Sequence, residues 1–176
     1  MLRSTHPQLR IARRRPASEP RPRTPIETRG AGVDTFRRDV LMAKILGTGI
    51  DAIEVDRIER ALLREPTGER FRARVFTEGE IKYCESRGVP RYQSYAARFA
   101  AKEAAMKAMG TGWNRNVGWS EIEVVRERGK APTLVLHGKS AAFARKKNIS
   151  VFHLSITHTA REAIAHVIAE GDVLPV

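Results

Sequence analysis

Asp51, Glu103 and Lys107 are the residues of this 176-residue chain whose types and spacing suit chemistry on a phosphate ester. Glu103 and Lys107 lie four apart in the run Arg98-Phe99-Ala100-Ala101-Lys102-Glu103-Ala104-Ala105-Met106-Lys107-Ala108-Met109-Gly110. On a helix that spacing makes them neighbours on one face. Taken alone, such a pair reads first as a solvated helix pair contributing about 0.2–0.5 kcal/mol. Asp51, closing a short apolar run, likewise reads first as a turn residue or a helix cap. As a set they say more. Two carboxylates can jointly hold a hard cation, and magnesium uses one or two protein carboxylates while water and substrate phosphate oxygens complete its octahedron. Lys107 then acts as a point charge on the same phosphates, with Arg98 as a second cation. That is equipment for attack at phosphorus, where positioning and charge neutralisation do most of the catalysis.

The elements that must position these groups are legible between Lys44 and Glu170. Residues 45–50 form an apolar, β-branched run read as a strand ending at Asp51. Ile53, Val55, Ile58, Ala61 and Leu62 then fit a helical stripe over residues 52–64. Thr77-Glu78-Gly79-Glu80 has capping-box spacing, which predicts a short helix with Thr77 as N-cap that runs through Cys84 and ends near Gly88 and Pro90. A longer helix spans about residues 93–109, with Tyr95, Phe99, Met106 and Met109 on its apolar stripe and Gly110 as its stop. Ala96 and Ala100 share the face of Glu103 and Lys107, which suggests room for a ligand. Ile122, Val124 and residues 133–136 read as two strands joined at Gly129-Lys130, and residues 139–147 as a further helix. Apolar runs at 151–157 and 163–169 read as a hairpin across Thr159–Glu162. Mixed strands and helices of this kind predict a single compact α+β domain, residues 42–176, with an antiparallel sheet and packed helices.

Composition bounds the function. The one cysteine, Cys84, can form no internal disulfide, supplies no zinc or iron–sulfur spacing, and has no evident base beside it. No apolar run approaches the roughly 20 residues of a membrane span, so the reading is a soluble, cytoplasmic protein with no membrane partner. The formal net charge is +12, which favours acidic partners without choosing among them. Residues 1–41 carry ten arginines against four acids and five of the nine prolines. They are expected to be a basic, disordered tail or a start-site extension, with Met42 as the alternative start. The remaining residues are also net basic. His137 and His166, in apolar strands, and Trp113 and Trp119, flanking a Gly/Asn loop, read as packing or surface residues. Arg145-Lys146-Lys147 reads as a solvated run.

Four motifs in order carry a family resemblance: Gly47-Thr48-Gly49-Ile50-Asp51 with Glu54-Val55-Asp56-Arg57-Ile58; Phe76-Thr77-Glu78-Gly79-Glu80; Arg98 to Ala108 running into Gly110-Thr111-Gly112; and His153-Leu154-Ser155-Ile156-Thr157-His158-Thr159. In these the chain resembles the holo-acyl-carrier-protein synthase branch of the phosphopantetheinyl transferases. The resemblance implies a fold of that type. It also implies transfer of 4′-phosphopantetheine from coenzyme A to a serine of an acidic apo-acyl-carrier protein, in support of fatty acid synthesis. It implies that Asp51 and Glu103 bind Mg2+ and that Lys107 contacts the coenzyme A phosphates. Arg98 and His158 would lie near the nucleotide, and Arg57 would face the carrier protein. It further implies a homotrimer with coenzyme A in clefts between protomers. The carrier serine would lose its proton to Glu103 or to a metal-bound water, and 3′,5′-ADP would leave. Arg57, Arg60 and Arg64 recur on one side of their helix, as a docking stripe or as a basic face paired locally with Asp56 and Glu59. Two other readings are a carrier-protein transferase serving polyketide or peptide synthesis, and a basic nucleic-acid-binding protein. The second leaves Asp51 and Glu103 without a role and lacks zinc-finger or RNA-recognition spacing, so no nucleic-acid partner is expected.

Overall fold

The computed structural model describes residues 43–172; the expectations for residues 1–41 and for Met42 lie outside them. A long helix laid across a three-stranded antiparallel sheet forms the centre. Strand β1 (Ala43–Glu54) pairs with β5 (Glu162–Asp172), and β5 pairs with β4 (Ile149–His158), in the order β1-β5-β4. The β4–β5 hairpin closes where the Thr159 N–H donates to the Glu162 carbonyl, within the predicted turn.

One boundary differs from the sequence expectation. The first strand does not end at Asp51 but continues to Glu54, opposite Glu162, and helix α1 covers only Val55–Leu63. The helical stripe read from residue 52 is produced by alternation: Ile53 and Val55 are both buried, one on the strand and one at the helix start. Pairing with β5 outweighs local helical preference, and that partner lies more than a hundred residues away. Asp51 is consequently a mid-strand residue.

Helix α2 (Gly68–Val75) was not legible in the sequence, because its GERFRARV run is rich in charge and carries little apolar periodicity. Helix α3 (Glu78–Glu85) begins at the predicted capping box. The Glu80 N–H donates to Thr77 Oγ1 at 3.2 Å, and the Thr77 N–H donates to Glu80 Oε2 at 2.9 Å. Helix α4 (Arg91–Ala108) stops at Gly110, whose φ of +70° is the left-handed value a terminating glycine supplies. The Thr111 N–H then reaches back to the Met106 carbonyl. Strands β2 (Ile122–Val125) and β3 (Thr133–Leu136) form a separate hairpin, followed by helix α5 (Gly138–Lys146).

The core lies between α4 and the sheet. Ala163, Ala165, Val167 and Ala169 of β5 are fully buried, as are Ala96, Ala100, Ala104 and Met106 of α4. The α4 alanines admit the sheet rather than a ligand. A Cβ on Gly47 would collide with the Ala108 carbonyl, and one on Gly49 with the Ala104 carbonyl. These glycines let β1 approach α4 backbone to backbone.

Candidate active site

That close approach sets the site. With Gly49 against Ala104 and the stem of Lys107, Asp51 two residues on reaches the last turns of α4. Lys107 Nζ donates to Asp51 Oδ1 at 2.8 Å and to the Ile50 carbonyl at 2.9 Å. The pair is half-open to solvent, with the lysine side chain 49% exposed and the aspartate 16%. Glu103 is one helical turn before Lys107. Its carboxyl is held above the usual carboxylate range, first by partial burial and next by the neighbouring Asp51 charge; Lys107 and Arg57 oppose the shift. Asp51, Glu103, Lys107 and Arg57 thus interact electrostatically, although they lie on three elements.

The donor set fits a hard cation. Burial first, and then the charge of Asp51, hold the Glu103 carboxyl up, and a cation held by both carboxylates would relieve the repulsion between them. Among the described residues no group of three or more His, Cys, Asp or Glu side chains could enclose a metal, so the rest of a magnesium shell would be water and phosphate oxygen.

Arg98 and His158, predicted together, do meet. Both line a cavity of about 220 Å³ with Tyr83, Arg87, Val124 and Arg126. Arg98 is 5% exposed. Its Nη1 donates to the Ser94 carbonyl at 3.2 Å, while its buried Nε has no partner.

Arg57 is exposed on α1. Arg60 pairs with Asp56 at 3.5 Å, the local pairing foreseen as the alternative to a docking stripe. No ion pair among the described residues engages Arg57 or Arg64. Arg64 instead helps line a cleft of about 350 Å³ with Arg70, Phe71 and Arg74. Arg74 stacks on the exposed Trp113 ring at 4.3 Å, whereas Trp119 packs inward on Phe99 at 4.7 Å.

Sequence reasoning missed a buried ion pair. Lys102 is fully buried, pairs with Glu80 Oε2 at 2.7 Å, and donates to the carbonyls of Trp119 and Ile122. Glu80 Oε1 accepts the Val124 N–H at 2.9 Å. The pair therefore ties α3, α4 and β2 together. Its signal was present: Lys102 falls on the apolar stripe, three residues after Phe99 and four before Met106. His137, expected within an apolar strand, stands instead at the N-terminal boundary of α5, where its side chain is exposed and lies 2.8 Å from Glu123 rather than capping the helix. The Cys84 thiol is pushed up to about 12 by burial, consistent with an inert core residue.

Residues 47–165 match the 4′-phosphopantetheinyl transferase superfamily. The chain is 52% identical over 127 residues to a holo-[acyl-carrier-protein] synthase of Solibacter usitatus, a match covering 72% of this chain and 99% of that protein. In structure it resembles the Neisseria meningitidis holo-[acyl-carrier-protein] synthase, with a TM-score of 0.64 at 30% identity, covering 72% of this chain and 98% of that one. It also resembles the Bacillus anthracis enzyme solved in complex with CoA (3′,5′-ADP), with a TM-score of 0.59 at 35% identity over 73% of this chain and 98% of that one. The chain belongs to the 4′-phosphopantetheinyl transferase superfamily. Its similarity is to the holo-acyl-carrier-protein synthases within it.

Proposed function

We infer that this protein is a holo-acyl-carrier-protein synthase that transfers 4′-phosphopantetheine from coenzyme A to a serine of apo-acyl-carrier protein. The observation that carries the reading is the meeting of Asp51, Glu103 and Lys107 where β1 crosses α4. Asp51 and Glu103 would hold Mg2+, which supplies charge neutralisation at the pyrophosphate. Lys107 swings from Asp51 to the same phosphate oxygens, a short move for a flexible, half-exposed ammonium. Glu103, beside the reacting phosphate, is the proton acceptor in this reading. The serine hydroxyl gives it a proton, and the serine oxygen bonds to the phosphorus bearing pantetheine. The phosphorus–oxygen bond to the nucleotide breaks, and 3′,5′-ADP leaves with that electron pair.

The nucleotide takes the cavity of Arg98 and His158, and the acidic carrier docks over Arg57 toward the cleft of Arg64, Arg70 and Arg74. Opposite charge speeds such an encounter. The outer face of the three-stranded sheet leaves Ile50, Val151 and Ile164 exposed, an apolar surface that supports packing of protomers as a homotrimer. Among the described residues no helix is long and apolar enough to cross a membrane, and we assign the enzyme to the cytoplasm, in fatty acid biosynthesis. Residues 42–176 form the transferase domain, and residues 1–41 are a basic extension to it. Glu103→Gln tests the site: turnover of apo-carrier protein with coenzyme A is expected to fall at least about a hundredfold, as for loss of a general base. Near-normal turnover would remove Glu103 from both of its roles.

A further inference from the structure

Three guanidinium groups gather around one tyrosine at the mouth of the Arg98 cavity. Tyr83, half-buried on α3, has Arg98 over its ring at 4.0 Å and Arg87 over the ring at 5.8 Å, and its hydroxyl takes Arg126 Nη1 at 3.5 Å. The arginines come from the end of α3, the middle of α4 and the end of β2, and each on its own is free to turn to solvent or is tied only to backbone. An aromatic face attracts cations within about 6 Å of its centroid, so Tyr83 offsets part of the repulsion that would spread them. No carboxylate lines this cavity among the described residues, and the buried Arg98 Nε is without a partner. The cavity is therefore built for more negative charge than a single diester oxygen supplies.

Coenzyme A has two anionic parts, a pyrophosphate and a terminal 3′-phosphomonoester. On the proposed reading the pyrophosphate belongs to Asp51, Glu103 and Lys107. Arg98 precedes Glu103 by five residues, about 7.5 Å along the helix axis. That separation leaves the monoester, a dianion near neutral pH, to the arginine cavity. The geometry points to Tyr83 as a positioning residue that sets specificity: it holds Arg87, Arg98 and Arg126 together so that the enzyme selects a donor bearing the 3′-phosphomonoester.

This rests on the transferase reading, and the test separates the two. Transfer to apo-acyl-carrier protein is measured with coenzyme A and with 3′-dephospho-coenzyme A, as kcat/KM for each, in the native protein, Tyr83→Leu and Tyr83→Phe. The native enzyme is expected to prefer coenzyme A. Tyr83→Leu should lose about tenfold of that preference, mainly through KM for coenzyme A, while Tyr83→Phe keeps most of it because the ring remains. A purely structural role would lower both donors alike. Equal losses for the two donors in Tyr83→Leu, or no preference in the native enzyme, would overturn the inference while leaving the transferase reading intact. No transfer from coenzyme A by the native enzyme would overturn both. Should Tyr83→Leu not fold, the exposed pair Arg87→Gln/Arg126→Gln in the native Tyr83 background must show the same selective loss; equal losses there would also refute it.

Discussion

At the scale of single residues, Glu103 is where charge and burial compete. Its carboxyl titrates above the ordinary range because it is partly buried and beside Asp51, and Lys107 and Arg57 recover only part of that cost. The folded protein therefore holds this proton more tightly than the unfolded chain does. Stability from this group is highest below the unfolded carboxylate's pKa. It falls as pH rises from there to the raised folded value and stays lower above it. Glu103→Gln lacks this loss. In metal-free buffer its thermal midpoint should exceed that of the native protein at about pH 8, with the gap closing toward about pH 4; a gap that is constant with pH would contradict the account. Of the residues predicted for the site, Asp51, Glu103 and Lys107 come together, as do Arg98 and His158. They were legible because a motif and an i,i+4 spacing survive folding unchanged. Lys102 and Tyr83 were not, because a lysine is ordinarily read as solvated and the role of Tyr83 depends on arginines from three elements.

At the scale of elements, the site exists because β1 lies unusually close to α4. Gly47 and Gly49 permit it, and they fall in the same short motif as Asp51. The motif was recognisable in the sequence, but its reason was not, since the opposing carbonyls of Ala104 and Ala108 are more than fifty residues away. Gly49→Ala places a methyl group against one of those carbonyls. It should lower stability by about 1–3 kcal/mol, the usual cost of overpacking, and lower turnover beyond what stability explains, because Asp51 is displaced with the strand. Denaturant melts and turnover below the melting range read the two effects separately, and unchanged turnover would mean that the close approach is not what positions Asp51. The helices with clear apolar stripes or caps, α3 and α4, were legible to within about three residues at each end. The β1–α1 boundary was displaced by pairing with a distant strand, and α2 was hidden by its charge.

At the scale of the whole molecule, the positive charge and the open sheet face point to partners. The excess of basic residues, +12 formally, was legible from composition, but its concentration in the Arg64–Arg70–Arg74 cleft needed the fold. The sheet face carries Ile50 at 61% exposure beside Val151 and Ile164. Ile164→Lys on that face should reduce the mass seen by light scattering from a trimer to a monomer, and an unchanged mass would exclude this face as the assembly surface. The central claim is the reaction itself. It is tested most directly by mass spectrometry of a purified apo-acyl-carrier protein incubated with this protein, coenzyme A and magnesium. The expected result is a gain of one phosphopantetheine group on the carrier serine, lost with EDTA and in Asp51→Ala. Carrier protein left unmodified by the folded enzyme, across several apo-carriers with magnesium present, would contradict it.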